Sequence, residues 1–265
     1  MIKAVVLGAG GNMGKNLIKA ISKSDQVQLS GAVEKPDSNY IGMDSGVISG
    51  MGKNDIPIKA NLEEVIPFTN VTIDFTIPEA TMENLELNIK YKKPAIIGTT
   101  GLSDQQISEI QKAAKKIPVL FSPNMSMGVN LLFKLVELTA KSLGKNFDVE
   151  IVEAHHRFKK DSPSGTAKKL GEIIADTLGI KNKIYGRKGM VGERSRDEFS
   201  ILSVRGGDIV GEHTVLFAGI GERLELTHRA HSRMTFAQGA VKAAVFINKQ
   251  KNGFFSMLDV LNLKL

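Results

Sequence analysis

Apolar residues along this chain recur with two different periods. Ile2 and the run Ala4-Val5-Val6-Leu7, broken only by Lys3, show the near-continuous apolar pattern of a strand buried on both faces of a parallel sheet. A glycine-rich stretch from Gly8 to Gly14 follows. Met13, Leu17, Ile18 and Ile21 then fall on one side of a helical pattern, with Lys15, Lys19 and Lys23 on the other. Val27–Val33 reads as a second strand that ends at Glu34. Strand, glycine turn, helix, strand and acid compose one βαβ unit.

Further strands are predicted at Val71–Phe75, Pro94–Ile97 and Pro118–Phe121, separated by helical patterns over 79–91 and 103–116, and this alternation implies a doubly wound parallel sheet. The Gly- and Ser-rich segment 40–58 reads as loop. After residue 126 the rhythm changes. A long apolar helix, Val129–Leu143, leads into a strand over Phe147–Ala154, and three more strands at Phe199–Val204, Thr214–Phe217 and Arg223–Thr227 are joined by glycine-rich turns. Strands with few helices between them imply a second, α+β domain on a mixed or antiparallel sheet. The apolar helical pattern over Thr235–Lys249 is expected to pack back on the first domain. The expected division is 1–126 plus 236–265 for one domain and 127–235 for the other.

Composition adds what the pattern cannot. With 265 residues, 42% hydrophobic and 24% charged, the chain has the make-up of an ordinary globular protein, which sets aside disordered and fibrous classes. The absence of Cys removes disulfide frameworks, thiolate zinc sites and thiol catalysis. No apolar run reaches a membrane-spanning length and the first strand is too short for a signal sequence, so the expectation is a cytoplasmic protein without a membrane partner.

The net charge of +7 is unevenly placed. Residues 1–126 hold 13 Lys against 13 acidic residues, whereas the remainder holds 22 Lys and Arg against 15 acids. All eight Arg and all five His lie beyond residue 154. A neutral first half and a basic, His-bearing second half suggest two tasks. Nucleic-acid binding would call for exposed aromatics among the basic residues; Trp is absent and Tyr numbers 3, so a small polyanion is the better partner.

The glycine turn is the first chemical candidate. Glycines let the backbone approach a pyrophosphate, whose charge is met by the free amides of a helix N-terminus. Here Gly8, Gly11 and Gly14, with an additional Gly10, follow the first strand and open an amphipathic helix, though they do not form a strict GxGxxG from Gly8. Glu34 ends the next strand at a separation suited to hydrogen-bonding a ribose diol. Lys35 beside it can neutralise a 2′-phosphate, so the Glu34-Lys35 pair is compatible with NADH or NADPH.

The second candidate is Glu153-Ala-His-His-Arg-Phe-Lys-Lys-Asp-Ser-Pro-Ser-Gly-Thr-Ala167. Adjacent strand residues point to opposite faces, so His155 and His156 are poorly placed to share one metal, and no metal is expected. Proton transfer by one and binding by the other suits them better. The stretch from Ser162 has the marks of a helix start, with Ser162 as a cap and Pro163 in the first turn, followed by Leu170, Ile173, Ile174 and Leu178 at helical spacing. Ser164, Gly165 and Thr166 are then expected to offer unpaired amides and two hydroxyls beside Lys159 and Lys160, a receptor for a carboxylate.

These two motifs, with Gly98-Thr99-Thr100-Gly101, Ser122-Pro123-Asn124-Met125-Ser126 and Gly211-Glu212-His213-Thr214, make the chain resemble the 4-hydroxy-tetrahydrodipicolinate reductase (dihydrodipicolinate reductase) family of bacterial lysine and diaminopimelate biosynthesis over its whole length. The His-His-Arg-x-Lys-x-Asp-x-Pro-Ser-Gly-Thr string is the most specific part. The resemblance implies an α/β fold with a Rossmann-like doubly wound parallel sheet and a second α+β domain that binds substrate and forms a homotetramer. It implies that Gly8, Ala9, Gly10, Gly11, Asn12 and Met13 wrap the pyrophosphate of NADH or NADPH, that Glu34 and Lys35 meet the adenosine ribose, and that Gly98, Thr99, Thr100, Ser122, Pro123, Asn124 and Met125 hold the nicotinamide side. His155 is implied as acid/base, Lys159 as proton donor, and His156, Ser164, Gly165 and Thr166 as substrate ligands. The implied reaction is hydride transfer to a cyclic imine dicarboxylate followed by protonation. Phe158 stands where a polar residue is common in the family, and Lys35 where Arg often follows the acid.

Two other readings fit parts of the pattern: another oxidoreductase acting on an amino or keto acid, which leaves the His-His motif unexplained, and a dinucleotide-sensing regulator, which leaves the residues from Lys159 to Thr166 without a task.

Overall fold

The structure, a computed structural model, describes residues 1–263. The chain forms two compact units, Met1–Met127 with Arg233–Leu265 and Gly128–Ser232.

In the first unit β1 (Ile2–Leu7), α1 (Asn12–Ser22) and β2 (Val27–Val33) form the opening βαβ motif. The segment read as loop contains two small elements, α2 (Ser45–Ile48) and β3 (Ile58–Lys59), and the latter pairs with β2 to make a sheet edge. Four and two residues are too few to impose a period on the sequence. The unit continues through β4 (Val71–Asp74), α3 (Pro78–Lys90), β5 (Ala95–Ile97), α4 (Asp104–Ala113) and β6 (Pro118–Phe121). Pro78 opens α3, where a missing amide costs nothing, and a Ser103–Gln106 capping box opens α4.

In the second unit, α5 (Met127–Leu143, beginning at the boundary) precedes β7 (Asp148–His155), α6 (Gly165–Leu178), β8 (Asn182–Ile184), β9 (Glu198–Arg205), β10 (Gly211–Ala218) and β11 (Arg223–Ala230). The chain then returns to the first unit with α7 (Met234–Ile247) and β12 (Gly253–Phe255).

The first sheet has seven parallel strands in the order β12-β6-β5-β4-β1-β2-β3. Its direction of winding reverses between β1 and β4, the switch point at which such sheets open a crevice beyond their carboxyl ends. Below it, α7 packs on α1 through Ala237, Ala240, Ala243 and Ala244, all fully buried with Ala4, Val6, Ile73 and Ile96. Small residues are required on this helix, because a Cβ at Gly239 would lie 1.8 Å from the Met125 carbonyl oxygen.

The second sheet has five strands in the order β11-β10-β7-β9-β8, antiparallel across β11-β10-β7 and parallel across β7-β9-β8. Alternation along β7 sends Val149, Ile151, Glu153 and His155 to one buried side, where Val149 and Ile151 join Phe199 and Phe217 against Ala167, Leu170 and Ile174 of α6. Two polar residues thus occupy core positions on a strand whose period requires apolar ones. Gly179, at φ +65°, ends α6 in the left-handed conformation that glycine adopts most readily.

Candidate active site

The first unit gathers its candidate residues at the carboxyl ends of its strands. Gly8 turns with φ +71°, and a side chain there would press on Thr76 after β4. Gly14 is fixed by contact: a Cβ would stand 2.1 Å from the Gly8 carbonyl oxygen, so α1 can approach β1 only with glycine at this place. Ala9 is buried and its amide donates to the Val33 carbonyl at 3.0 Å. Gly11 is the N-cap of α1 and has no side chain to cap the helix, while Asn12 is exposed and Met13 half-buried. Uncapped amides at the start of a helix favour an anion. A turn of this kind has the chemistry to hold a pyrophosphate.

Glu34 follows β2, with its Oε2 accepting the Gly10 amide at 2.8 Å and its Oε1 accepting the Lys35 amide at 3.1 Å. The Lys35 ammonium pairs with Asp37 at 3.2 Å, both exposed. One participant escaped sequence reasoning. Tyr40 lies against Gly10, where a Cβ would be 2.3 Å from its ring, and Lys15 Nζ sits 4.8 Å from the ring centroid. A single tyrosine in a loop carries no periodic signal.

At the ends of β4, β5 and β6, Gly98 packs under the Phe75 ring, and Thr99 is buried in a network centred on Asp74. Asp74 Oδ1 accepts from the Thr76 amide and hydroxyl at 2.9 and 2.6 Å, Asp74 Oδ2 accepts from Asn84 at 3.0 Å, and the Thr99 and Thr81 hydroxyls are 2.7 Å apart. The Ser122 hydroxyl donates to the Asn124 carbonyl at 2.7 Å. Thr100 and Pro123 are exposed, and Met125 is fully buried in the core. Thr99 and Met125 therefore turn their side chains into the protein, so a ligand beyond the strand ends would meet their backbone.

The second unit places its candidates around the end of β7. Glu153 and His155 are both buried, and His155 Nδ1 lies 2.6 Å from Glu153 Oε2. Burial alone would raise the Glu153 pKa; hydrogen bonds from Arg205, His155, Ser203 and the Ser164 amide more than offset it and bring it down to about 2. Burial pushes His155 below the usual histidine value, against the pull of Glu153 in the other direction. His213, on β10, is brought down to about 3 by burial, with His155 adding to the effect. Its Nε2 meets the Ser164 hydroxyl at 3.0 Å.

The helix start differs from the sequence expectation. Ser164, not Ser162, is the N-cap of α6, its hydroxyl accepting the Ala167 amide at 3.2 Å, and Pro163 precedes the helix. The cap falls where an extended residue can reach an amide three positions on. In addition, the Ser164 amide is already given to Glu153 Oε1 at 3.1 Å, so Ser164 has no unpaired amide to offer. Gly165, exposed with open space around it, and the half-buried Thr166 hold the first two helical positions. His156 lies just past the strand, half-buried, and its ring is 6.3 Å from that of Phe158. Lys159 Nζ pairs with Asp161 at 2.8 Å, and Arg157 and Lys160 are exposed. Among the described residues no group of three or more His, Cys, Asp or Glu is arranged as a metal site.

Comparison with known proteins bears on both units. The family model for the N-terminal part of dihydrodipicolinate reductase matches residues 2–125, and the model for the C-terminal part matches residues 128–261. The chain belongs to the dihydrodipicolinate reductase family. Two curated relatives, both named 4-hydroxy-tetrahydrodipicolinate reductase, are 50% identical (Syntrophotalea carbinolica) and 49% identical (Hahella chejuensis), each over 100% of both chains. A solved dipicolinate-bound dihydrodipicolinate reductase from Paenisporosarcina sp. TG-14 is 26% identical, with a TM-score of 0.79 over 98% of each chain. An amine dehydrogenase from Mycobacterium smegmatis, at 13% identity and a TM-score of 0.60 over 97% of this chain and 95% of its own, shares the fold alone. The chain is thus an oxidoreductase with a pyridine-nucleotide domain, and the regulator reading is set aside. No helix among the described residues is long and apolar enough to cross a membrane.

Proposed function

We propose that this dihydrodipicolinate reductase reduces 4-hydroxy-tetrahydrodipicolinate to tetrahydrodipicolinate in the cytoplasm, with NADH or NADPH, in lysine and diaminopimelate biosynthesis. The observation that carries the reading is at the end of β7, where Glu153 bonds both His155 and the amide of Ser164, the N-cap of α6, so that a candidate acid–base group and a helix N-terminus share one carboxylate. In the first unit, Gly8 to Met13 would wrap the pyrophosphate, Glu34 and Lys35 would meet the adenosine ribose, and Gly98 to Thr100 with Ser122 to Met125 would hold the nicotinamide side. Bound there, reduced nicotinamide supplies the hydride for the imine.

The chain's own residues bind and protonate. The Gly165 and Thr166 positions at the start of α6 face one carboxylate with the positive end of the helix dipole, and the Ser164 hydroxyl and His156 add polar contacts. Lys159, held by Asp161 in the free protein, gives the proton that completes reduction. His155 is its acid/base partner. A dianion under this cationic cluster accounts for the surplus of Lys, Arg and His in the second half of the chain.

The second unit is also proposed to join subunits into a homotetramer through its sheet. Opposite the face covered by α6, the alternation along the strands presents Val152, Ala154, Thr214 and Leu216, and Val204, paired with Ala154, stands exposed beside them. Sedimentation would give the subunit count.

The deciding experiment follows NADH and NADPH oxidation with the condensation product of pyruvate and aspartate semialdehyde, against simple keto acids. Rapid oxidation with the first substrate alone is expected; preference for a keto acid would overturn the reading.

A further inference from the structure

We propose that Glu153 and Arg205 are positioning residues that hold His155 as the tautomer with hydrogen on Nδ1, leaving Nε2 as the working nitrogen. The proposal rests on the acid–base reading of His155 given above.

Glu153 and His155 are two apart on β7 and so share a face. An ionised carboxylate can only accept, so with Glu153 Oε2 at 2.6 Å the hydrogen of a neutral ring must be on Nδ1. The carboxylate itself is fixed on all sides. Arg205 donates to both oxygens at 2.8 Å, the Ser164 amide donates to Oε1 at 3.1 Å, and His155 bonds Oε2. With the Ser203 side chain also bonded to it, the carboxylate's acceptor capacity is filled, and rotating it would break several bonds at once.

Arg205 reaches further. Its guanidinium also donates to the Asp161 carbonyl at 2.8 Å and to the Val204 carbonyl at 2.7 Å. Asp161 is the residue whose side chain holds Lys159. One guanidinium therefore ties the partner of His155 to the segment that carries the proton donor. The register of β7 against β9, which pairs His155 with Arg205, brings this about.

Glycine and a neutral ring complete the setting. A Cβ at Gly211 would lie 3.1 Å from His155 Nε2, so the small residue leaves room for that edge of the ring. The His213 ring meets His155 edge-on at 5.2 Å between centroids. The ionisable groups around His155 are thus Glu153 on β7, Lys159 beyond its end, Arg205 on β9 and His213 on β10. Glu153 favours the charged ring, and Lys159 and Arg205 oppose it.

The test combines a tautomer measurement with pH profiles on the full-length chain. In wild-type protein with nitrogen-labelled histidine, magnetic resonance should show His155 protonated at Nδ1 in its neutral form. In Glu153→Gln the amide group displaces an acceptor, so the hydrogen should move to Nε2, with turnover falling about 10²- to 10⁴-fold and NADH affinity within about twofold of wild type. The acidic limb of kcat should move to lower pH in Glu153→Gln and to higher pH in Arg205→Gln, and Arg205→Lys should restore it. A purely structural role would not displace the limb in opposite directions. A wild-type ring protonated at Nε2 overturns the proposal even if no variant folds, and so do limbs that shift the same way. A wild-type ring protonated at Nδ1 in a protein that fails to reduce the dicarboxylate supports the tautomer assignment and overturns only the activity reading.

Discussion

Glu34 Oε2 accepts the Gly10 amide at 2.8 Å, which joins the acid that ends β2 to the glycine turn that follows β1. The proposed adenosine end of the cradle therefore carries a carboxylate. Only Lys35 is adjacent in sequence to balance a 2′-phosphate, and it is shared with Asp37. A lysine is a point charge without the fork of arginine, so both cofactors should be used with no large preference. Lys35→Ala should raise the KM for NADPH more than that for NADH, and Asp37→Asn should lower the KM for NADPH. Steady-state kinetics with both cofactors will check this; equal effects of Lys35→Ala on the two would remove Lys35 from the site.

Proton transfer is tested at two side chains. His155→Gln and Lys159→Ala should each cut turnover by about 10²- to 10⁴-fold, the scale of acid–base contributions, with nicotinamide affinity nearly unchanged. Turnover and NADH fluorescence titration separate the two effects. Near-normal turnover in Lys159→Ala would sink its assignment as proton donor.

Pyridine-2,6-dicarboxylate should compete with the substrate, and its affinity should fall as salt is added, because charge provides much of the attraction. Thr166→Val keeps the shape of the side chain without its hydroxyl and should weaken the inhibitor while leaving NADH binding alone. Competition with NADH only, or equal inhibition by pyridine-2-carboxylate, would show that the start of α6 is a helix cap and nothing more.

The buried His213 makes the protein acid-sensitive in a defined window. Its pKa falls from 6.5 to about 3 on folding, so below pH 6.5 the unfolded chain binds a proton that the folded chain refuses until about pH 3. Stability from this residue is intact above pH 6.5 and declines as pH drops through that interval. Between pH 7 and pH 5 the loss amounts to about 2 kcal/mol. His213→Gln, which cannot titrate, should remove this part of the slope in urea unfolding measured at the two pH values. The contribution of Glu153 is lost lower, as pH falls from 4.5 towards 2.

The long elements were legible in the sequence because period and length reinforce each other: β1, α1, β2 and α7 all stand within a residue or two of where the apolar pattern puts them. Elements such as α2 and β3, four and two residues long, span barely one repeat of their period, too little for a pattern to show, and are set by tertiary pairing. In the site, Glu153 was within reach of sequence reasoning, since a residue two before a strand histidine shares its face. Arg205 was not, because 52 positions separate it from Glu153 and only strand register joins them. The pairing of the Ser164 amide is hidden for a related reason: its acceptor, Glu153, lies 11 residues earlier on β7, beyond the reach of local helix-start rules.

The first sheet needs chain from both sides of the second unit, since β12 lies beside β6 and the alanine face of α7 covers the apolar underside of β1, β4 and β5. On the ribosome, the whole stretch Gly128–Ser232 emerges before that cover does. At about 5–20 residues per second, roughly a hundred residues leave the underside bare for about 5–20 s. The intervening unit, being continuous, can fold in that time; the nucleotide-binding one must wait, with its apolar underside uncovered. The half of the protein that is made first is thus the half that finishes folding last.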